Sequence, residues 1–422
     1  MRELSGVFKG IFTLLIGSGV ARIFGIACIP VLTRIYTPED YGTLALYVSF
    51  VAILSPILSL RFVQAIPLPR QDGMAFNLFW VSLKIIIINS LLLMLILIIF
   101  GDYILERFSL VALKPWLWLI ILGSAGAAFY ELFSLWATRH RHYKIMAKSQ
   151  FVQSLIGNLA KIFLGLLAIK PGGLLIGQAL SQSAGVSGLL RPICNSYHKQ
   201  RNKLNLKREI FIIRYYWQFA CFRLPSQILM VISVQAPVIM MAALYGQELT
   251  GQLGLAIMVL SLPVGLIGQA VAKAFYAEIA TVGKNDVVKI KNLTTSVQKR
   301  LFLVGIPAVV LMFFTVKPLF VIVFGSEWAI AGQYAAMLAP FILFQFTSSP
   351  LMEVINVIGS QLTFFKLHSC RVIGLIFIFL LSKFLKLESE NFVPLISSYL
   401  SIFYLCASLL VMRTIKTKNK NE

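Results

Sequence analysis

Charged residues are scarce in this sequence, and acidic residues are the scarcest. Only 13% of the 422 residues are charged, with 16 Asp and Glu against 38 Lys and Arg, whereas 58% are hydrophobic. In soluble globular domains about 25% of residues are charged. The composition therefore excludes an ordinary soluble domain and predicts a chain whose solvent is largely lipid.

Patterns that support chemistry are also missing. The five cysteines are dispersed without a CxxC pair, which argues against both a disulfide framework and a metal site. The sequence contains no HExxH, GxSxG, P-loop or DxD pattern, so we expect neither enzymatic activity nor a cofactor. The four histidines all fall in loops that we assign below to the cytoplasmic side: His140, His142, His198 and His368.

Long apolar runs dominate the chain instead. A helix needs about 20 apolar residues to cross the hydrocarbon layer, and such runs predict about twelve transmembrane helices in an all-α integral membrane fold. The seventh, eighth and tenth runs are long enough to be kinked or to extend beyond the membrane. The predicted spans lie near 11–33, 43–66, 76–100, 115–136, 149–169, 173–190, 212–243, 251–279, 301–323, 330–357, 369–387 and 392–412.

The cations in the loops indicate which side of the membrane each loop faces. Lys and Arg concentrate on the cytoplasmic side, and with the N-terminus inside, the cytoplasmic segments hold most of the loop cations, including Arg371 at the start of the eleventh span. We therefore expect both termini in the cytoplasm. This topology explains most of the basic excess, and since no nucleic-acid-binding motif occurs, we expect no nucleic-acid partner. The external cations are Arg34, Arg107, Lys114, Lys170, Lys317, Lys383 and Lys386.

A short segment recurs halfway along the chain. The Tyr, Glu, Gly and two Leu residues of 36–46 recur at equal spacing in 245–255. Each segment lies between the first and second spans of a six-span set, which predicts two six-helix lobes related as parallel repeats, with chance similarity as the alternative. The expected domains are an N-terminal lobe over 1–190, a basic cytoplasmic linker over 191–211, a C-terminal lobe over 212–412 and a basic cytoplasmic tail over 413–422.

Six cations fall inside the predicted spans, where a charge costs at least about 2.5 kcal/mol, so such residues normally face a protein interior or an aqueous cavity. Few acids are available to neutralise them. Glu131 and Glu353 are either charge partners of these bases or sites for a coupling proton or cation. The balance predicts a positively lined central cavity that binds a diphosphate group through these cations: Arg22, Arg61, Lys84, Lys161, Arg223 and Lys273.

Three of these cations have a simpler structural alternative. Lys84 and Lys273 lie near a cytoplasmic end of their spans and can extend to the membrane interface. Arg61 precedes a stretch, 64–69, that we expect to be extended. It is either a phosphate ligand or an anchor for the end of the second span.

The other three cations lie deeper in their spans. Arg22 is surrounded by glycines, which allow another backbone or a ligand to approach closely. Arg223 shortly precedes Pro225, where a broken helix would expose backbone groups to a cavity. Lys161 shares a helical face with Asn158, three residues earlier. Cavity lining and internal packing remain alternatives for each of them.

Two N-terminal stretches carry a family resemblance. Residues 21–42, which include Arg22 and Arg34, and residues 60–69, which include Arg61, resemble the start of bacterial polysaccharide biosynthesis and O-antigen flippases. These proteins belong to the multidrug/oligosaccharidyl-lipid/polysaccharide exporter superfamily. The specific match ends before the third predicted span, and beyond it the agreement rests on helix count and the two-lobe pattern.

The resemblance implies two six-helix lobes around a V-shaped cavity that opens alternately to each side of the bacterial inner membrane. It implies a flippase that carries an undecaprenyl-diphosphate-linked oligosaccharide to the external leaflet for O-antigen, lipopolysaccharide or exopolysaccharide synthesis. The implied partners are membrane lipids, a polysaccharide polymerase and a chain-length regulator. The resemblance places Arg22 and Arg61 in the cationic cavity, whereas Arg34 is similar to an external turn residue.

Other classes of membrane protein remain as alternatives. A multidrug/cation antiporter of the same superfamily shares the architecture but needs acidic residues deep in its lobes, and the N-terminal lobe offers mainly Glu131. A membrane-embedded polysaccharide polymerase or ligase needs a large external loop, and the external loops here are short. A channel fits less well, because the cations are scattered over several spans and do not form a ring.

Overall fold

The computed structural model describes residues 2–107, 111–200, 205–282, 287–354 and 361–421. Over these residues the regular structure is helical. The chain forms two compact units, Met1–Val231 and Ile232–Glu422. The boundary between the two units falls inside a helix, so each unit is described by itself below.

The first unit contains eight helices and the start of a ninth. They are α1 (Arg2–Ile35), α2 (Pro38–Ser59), α3 (Asp72–Arg107), α4 (Leu117–Arg139), α5 (Tyr143–Leu166), α6 (Gly172–Ser183), α7 (Val186–Gln200), α8 (Leu206–Tyr215) and α9 (Leu224–Tyr245).

Among the described residues, the second unit contains the rest of α9 and six further helices longer than one turn. They are α10 (Gln247–Pro263), α11 (Gln269–Val282), α12 (Val287–Phe324), α13 (Ala329–Ser348), α14 (Gln361–Leu385) and α15 (Ser389–Asn421).

Over the described residues, each of the predicted spans coincides with a helix or a pair of consecutive helices. Residues 355–357 of the tenth predicted span lie outside the described residues. Within the described part of the chain, nine helical stretches are long and apolar enough to cross a membrane. The other predicted spans correspond to α5, to α6 with α7, and to α10 with α11, whose helices are shorter or more polar. The all-α membrane fold is therefore confirmed, and the sixth span is divided into two helices at residues 184–185.

Three of the long runs are interrupted, as their length predicted. A π-helical turn, Phe219–Arg223, precedes α9, whose second residue is Pro225. Proline lacks an N–H and its ring crowds the carbonyl four residues earlier, so regular α-helical bonding cannot continue there. A second π turn, Val264–Gly268, follows Pro263, and the 3-10 turn Pro350–Met352 follows α13.

In the first unit, α5 packs against α1 and α6, and α4 packs against α2, α3 and α6. Aromatic side chains fill the core between α3 and α4. Phe79 lies with its ring centroid 5.7 Å from Phe133 and 5.4 Å from Trp136, and Phe76 lies 5.8 Å from Trp136. This core fixes the ends of α3 and α4 that flank the loop containing Arg61.

The recurring segments occupy corresponding places in the two units. Tyr36 follows α1, and its hydroxyl donates to the backbone carbonyl of Lys161 at 2.7 Å. Tyr245 ends α9, and its hydroxyl donates to the backbone carbonyl of Leu387, just after α14, at 2.8 Å. Both tyrosines thus fix the end of the first span of a set to the fifth span. The matching tyrosines of segments 36–46 and 245–255 therefore form equivalent hydrogen bonds in the two units.

Candidate functional site

Among the described residues of the first unit, the Arg61 guanidinium is the most deeply buried cation that has a carboxylate partner. Arg61 is 7% exposed, and its Nη1 donates to both oxygens of Glu131 on α4, at 3.0 and 3.2 Å. The backbone of Leu60 and Arg61 is left-handed, with φ of 43° and 59°. For residues other than glycine this conformation costs about 1–3 kcal/mol each, so the surrounding fold holds the Arg61 turn in place against local strain.

The chain after Arg61 is not extended as predicted. It forms a 3-10 turn, Phe62–Ala65, whose N–H groups bond backward to the preceding carbonyls. Arg139 then holds the following loop, because its Nη1 donates to the carbonyl of Pro69 at 2.7 Å and its Nη2 to the carboxylate of Asp72 at 2.8 Å. The buried position of Arg61 thus depends on a folded turn, which the proline-rich sequence did not indicate.

Arg223 lies close to Arg61. The 3-10 turn after Arg61 packs against the π turn that ends at Arg223, and the two like charges are near enough to repel. Arg223 is exposed, and its guanidinium lies over the ring of Phe219, 5.7 Å from the centroid. Arg61 therefore has two charged neighbours, its carboxylate partner Glu131 and the guanidinium of Arg223. We call these three residues the Arg61–Arg223 site.

Lys161 and Arg22 lie elsewhere in the first unit. Lys161, 9% exposed, donates from Nζ to the side-chain oxygen of Gln178 on α6 at 2.6 Å. Arg22 is exposed on α1. The glycines near Arg22 serve helix packing in part, because a Cβ on Gly17 would lie 2.5 Å from the Cβ of Ala147 on α5.

Lys84 is engaged in an ion pair. Its Nζ lies 2.8 Å from a carboxylate oxygen of Glu209 on α8, where the Lys84 side chain is 53% exposed and that of Glu209 is 12% exposed. Glu209 belongs to the segment that the sequence assigned to a linker, and the pair ties α8 to α3. Two of the six candidate cations, Arg61 and Lys84, thus have a carboxylate partner among the described residues. The positive charge that these six residues can offer to a substrate is therefore smaller than the sequence predicted.

Two further candidates lie in the second unit. Glu353 directly follows the 3-10 turn Pro350–Met352 and is partly buried. Lys273 is a residue of α11, but its side chain lies outside the described residues.

His368, which was assigned to a cytoplasmic loop, lies inside a helix together with Arg371 from the predicted start of the eleventh span. Arg371 and His368 lie within α14 and are 3% and 5% exposed. Arg371 donates from Nη1 to the Tyr404 hydroxyl at 3.4 Å, and its guanidinium lies 5.4 Å from the ring centroids of Tyr404 and Phe403. The positive-inside rule counted Arg371 among the cytoplasmic cations and did not indicate that its side chain is buried. The sequence signal for this burial was the adjacent aromatic pair Phe403 and Tyr404 in the last helix, whose ring faces can bind a guanidinium.

The fold resembles that of solved exporters. It superposes on an inward-facing multidrug resistance MATE family transporter of the MOP superfamily with a TM-score of 0.63 at 14% identity, covering 97% of this chain and 95% of that one. It also superposes on a mutant of the Vibrio cholerae MATE transporter VcmN with a TM-score of 0.60 at 11% identity, covering 99% and 97%. The fold class is thus that of a multi-pass membrane protein with a MATE-like architecture.

The sequence identifies the family within that class. The pattern of the family described as "Polysaccharide biosynthesis protein" matches residues 31–332, and the chain belongs to this family. The chain is also 23% identical over 325 residues to the succinoglycan biosynthesis transport protein ExoT of Rhizobium meliloti (strain 1021). That alignment covers 74% of this chain and 61% of the relative, so the chain spans about three fifths of the relative's length. The predicted superfamily is confirmed.

Proposed function

We propose that the protein is a flippase that moves an undecaprenyl-diphosphate-linked oligosaccharide repeat unit from the cytoplasmic to the external leaflet, for O-antigen or exopolysaccharide synthesis. The observation that carries the proposal is the Arg61–Arg223 site, in which a buried guanidinium paired with Glu131 lies near a second guanidinium. Membership of the polysaccharide biosynthesis family and the likeness to a succinoglycan transport protein support the choice of pathway.

The charge balance of the site suits a diphosphate. The guanidinium fork forms paired hydrogen bonds with phosphate oxygens, which replace the hydration that the diphosphate loses on leaving water. In the substrate-free site Arg61 is held by Glu131, and Arg223 repels Arg61. A diphosphate that bridges both guanidiniums relieves this repulsion and displaces the Glu131 carboxylate. Arg61 thus alternates between an internal partner and the substrate.

The remaining cations have different parts in this proposal. Arg22, exposed on α1, and Lys161, buried beside α6, are further contacts for the anionic headgroup along its route. Lys273 is a candidate of the same kind. Lys84, which is paired with Glu209, stabilises the packing of α8 and contacts substrate only if that pair opens. Glu131, once released from Arg61, can take up a proton, and Glu353 is a second candidate for coupling.

The energetics favour outward transfer. Moving one elementary charge across 100 mV is worth about 2.3 kcal/mol, and an inside-negative potential drives the anionic diphosphate outward. Coupling to an ion is therefore compatible with the proposal but not required by it. The proposed location is the bacterial inner membrane with both termini in the cytoplasm, beside a polysaccharide polymerase and a chain-length regulator. Transport proceeds by alternating access between the two expected lobes, 1–190 and 212–412.

A multidrug or cation antiporter is the second candidate, since the solved proteins of similar fold include multidrug transporters. A cationic substrate requires an available carboxylate. In the first unit Glu131 is held by Arg61, which makes the Arg61–Arg223 site net positive. The site therefore favours an anionic substrate over a cationic one.

Arginine variants in a leaflet-exchange assay test this proposal. The purified protein is reconstituted in liposomes with fluorescent undecaprenyl-diphosphate oligosaccharide, and a membrane-impermeant quencher reports how fast the lipid changes leaflet. Arg223→Gln removes one guanidinium and leaves the Arg61–Glu131 pair intact. Loss of a charge-assisted hydrogen bond costs about 1.5–3 kcal/mol, so exchange is expected to slow at least about tenfold.

Two controls make the result specific. Arg300→Gln removes an exposed guanidinium from α12 and is expected to leave exchange unchanged. The double variant Arg61→Gln/Glu131→Gln replaces the ion pair by two amides that can bond each other, so it keeps the fold but lacks the buried cation. Wild-type exchange in both the double variant and Arg223→Gln would rule out the proposed site.

A further inference from the structure

A cavity lined in part by two lysines lies in the first unit, and its lining includes none of the residues of the Arg61–Arg223 site. It has a volume of about 760 Å³ and lies where α5 begins and where α6 gives way to α7. Its lining is formed by His142, Lys144, Ile145, Lys148, Ser149, Val152, Ala184, Gly185, Ser187, Gly188 and Pro192. The polar and apolar lining residues together indicate an amphipathic ligand.

The two lysines of this cavity are placed against the usual electrostatic preference of a helix. Lys144 and Lys148 are one turn apart at the start of α5, both are exposed, and the first turn of α5 contains no acidic residue. The N-terminus of a helix carries a partial positive charge, so cations are unfavourable there and an anion is favoured. Among the described residues neither lysine forms an ion pair. A bound anion would correct this imbalance.

The inner wall of the cavity is well ordered by packing. Ser149 is buried and donates its hydroxyl hydrogen to the carbonyl of Gly185 at 2.6 Å, which joins α5 to the α6–α7 connection. Gly188 also lines the cavity, and an added Cβ at this position would meet nothing within 4 Å. The cavity therefore has one wall fixed by a hydrogen bond and has room for a ligand beside Gly188.

The cavity lies just beyond the end of a helix that is long and apolar enough to cross a membrane, where we expect lipid headgroups. The membrane span that includes α4 ends at Arg139, and His142 and Lys144 follow within five residues of the chain. Phosphate groups of membrane lipids occupy this interfacial layer, and basic pockets at the end of transmembrane helices bind them. Ile145, Val152 and Pro192 supply apolar surface beside the lysines for the glycerol and upper acyl carbons.

We propose that this cavity binds the phosphate group of a membrane lipid, with Lys144 and Lys148 as its charged ligands. The site is separate from the Arg61–Arg223 site and does not depend on the proposed transport activity. The lipid is either an abundant anionic phospholipid or a lipid diphosphate, since the same chemistry recognises both. Its role is to neutralise the start of α5 and to fix the α6–α7 connection against it.

Lipid binding to the purified full chain tests this proposal. The protein in neutral detergent is titrated separately with dioleoyl phosphatidylglycerol, undecaprenyl diphosphate, dioleoyl phosphatidylcholine and inorganic diphosphate, and bound molecules are counted by native mass spectrometry. Lys144→Gln/Lys148→Gln is expected to weaken anionic-lipid binding at least about tenfold, which is the loss of one charge-assisted contact. Lys291→Gln/Lys299→Gln removes two exposed cations from α12 and is expected to bind as wild type does.

A second variant separates the cavity from general surface charge. Gly188→Phe keeps every charge but projects a ring into the open space at Gly188, so it is expected to block lipid binding, whereas Gly188→Ala is expected to permit it. Tighter binding of phosphatidylglycerol or of undecaprenyl diphosphate shows which lipid supplies the phosphate. Each of these two results supports the proposed lipid site. Equal binding of inorganic diphosphate, or wild-type lipid binding by the double lysine variant, overturns it. If Gly188→Phe does not fold, the lysine variants decide alone.

Discussion

The guanidinium of Arg61 is bonded through Nη1 to both carboxylate oxygens of Glu131, at 3.0 and 3.2 Å. Arg61 reaches this partner from a strained left-handed turn, while Glu131 comes from the middle of α4. The pair joins the α2–α3 connection to a transmembrane helix and is also the centre of the proposed substrate site. Stability and transport are therefore expected to depend on the same two residues in different ways.

Removing one member of this pair should destabilise the protein. Glu131→Gln leaves the guanidinium, which is 7% exposed, without a counter-charge, and an unsatisfied buried polar group costs about 1–3 kcal/mol. Thermal unfolding in detergent should show a lower midpoint for Glu131→Gln and for Arg61→Gln. The double variant should lose less than the sum of the two single losses, because no charge is left unpaired. Strictly additive losses would show that the pair is not coupled.

The two tyrosines of the repeated segment should contribute similarly to the two units. Tyr36→Phe and Tyr245→Phe each remove a hydrogen bond to a backbone carbonyl, at a cost of about 1 kcal/mol. Thermal unfolding should therefore shift downward to a similar extent in both variants. Tyr103→Phe, at a residue 70% exposed on α3, is the matched control and should show no shift. A loss confined to one unit would contradict the structural equivalence of the two segments.

Two glycines two residues apart on α1 should respond in opposite ways. Gly17→Ala places a methyl group 2.5 Å from the Cβ of Ala147 and 3.3 Å from its Cα, so α1 and α5 must separate. Overpacking of this kind costs about 1–3 kcal/mol. Gly19→Ala meets nothing within 4 Å and gains helix propensity. The unfolding midpoint should fall for the first variant and stay level or rise for the second, and equal shifts would contradict the close packing of α1 on α5.

Stability should fall in mild acid through His142. Burial lowers the pKa of His142 below its ordinary value of 6.5, and His140, whose ring centroid is 5.9 Å away, lowers it further. The cations Lys144 and Lys148 line the same cavity. The unfolded chain takes up a proton at His142 near pH 6.5, whereas the folded chain does so only at lower pH. The neutral His142 therefore contributes to the free energy of unfolding fully above pH 6.5, and this contribution is lost as the pH falls through the pKa of His142 in the folded protein.

The measurement is the unfolding midpoint between pH 7.5 and pH 5, compared with that of His142→Gln. The variant cannot titrate at this position, so its midpoint should depend less steeply on pH than that of wild type. An identical slope in both proteins would show that His142 does not contribute.

The positions of the spans could be predicted from the sequence because length and apolarity alone determine them. The interruption at Pro225 followed equally directly, since proline cannot continue a regular helix. Contacts between distant residues could not be predicted in this way. The Lys84–Glu209 pair joins two residues that are far apart in sequence, and no local pattern marks it.

The buried cation Arg371 of the second unit shows most clearly what the sequence alone could not predict. Arg371 stands beside other basic residues, so a charge-counting rule groups it with the cytoplasmic cations, whereas its side chain is buried against Phe403 and Tyr404. For the candidate site, the sequence predicted Arg61 as a substrate contact and named Glu131 as one of two acids that could pair with the intramembrane cations. It could not show that Glu131 already occupies that guanidinium, because the two residues are brought together only by the packing of α2 and α4.

The identity of the transported molecule tests the central claim most directly. Liposomes containing the purified protein are given fluorescent undecaprenyl-diphosphate oligosaccharide in one leaflet and, in parallel, an organic cation in the lumen with an imposed proton gradient. A flippase is expected to exchange the lipid diphosphate rapidly between leaflets, and faster when the potential is negative on the side that the lipid leaves. It is expected to give no gradient-dependent movement of the organic cation. Export of the cation without any lipid exchange would contradict the flippase and establish an antiporter instead.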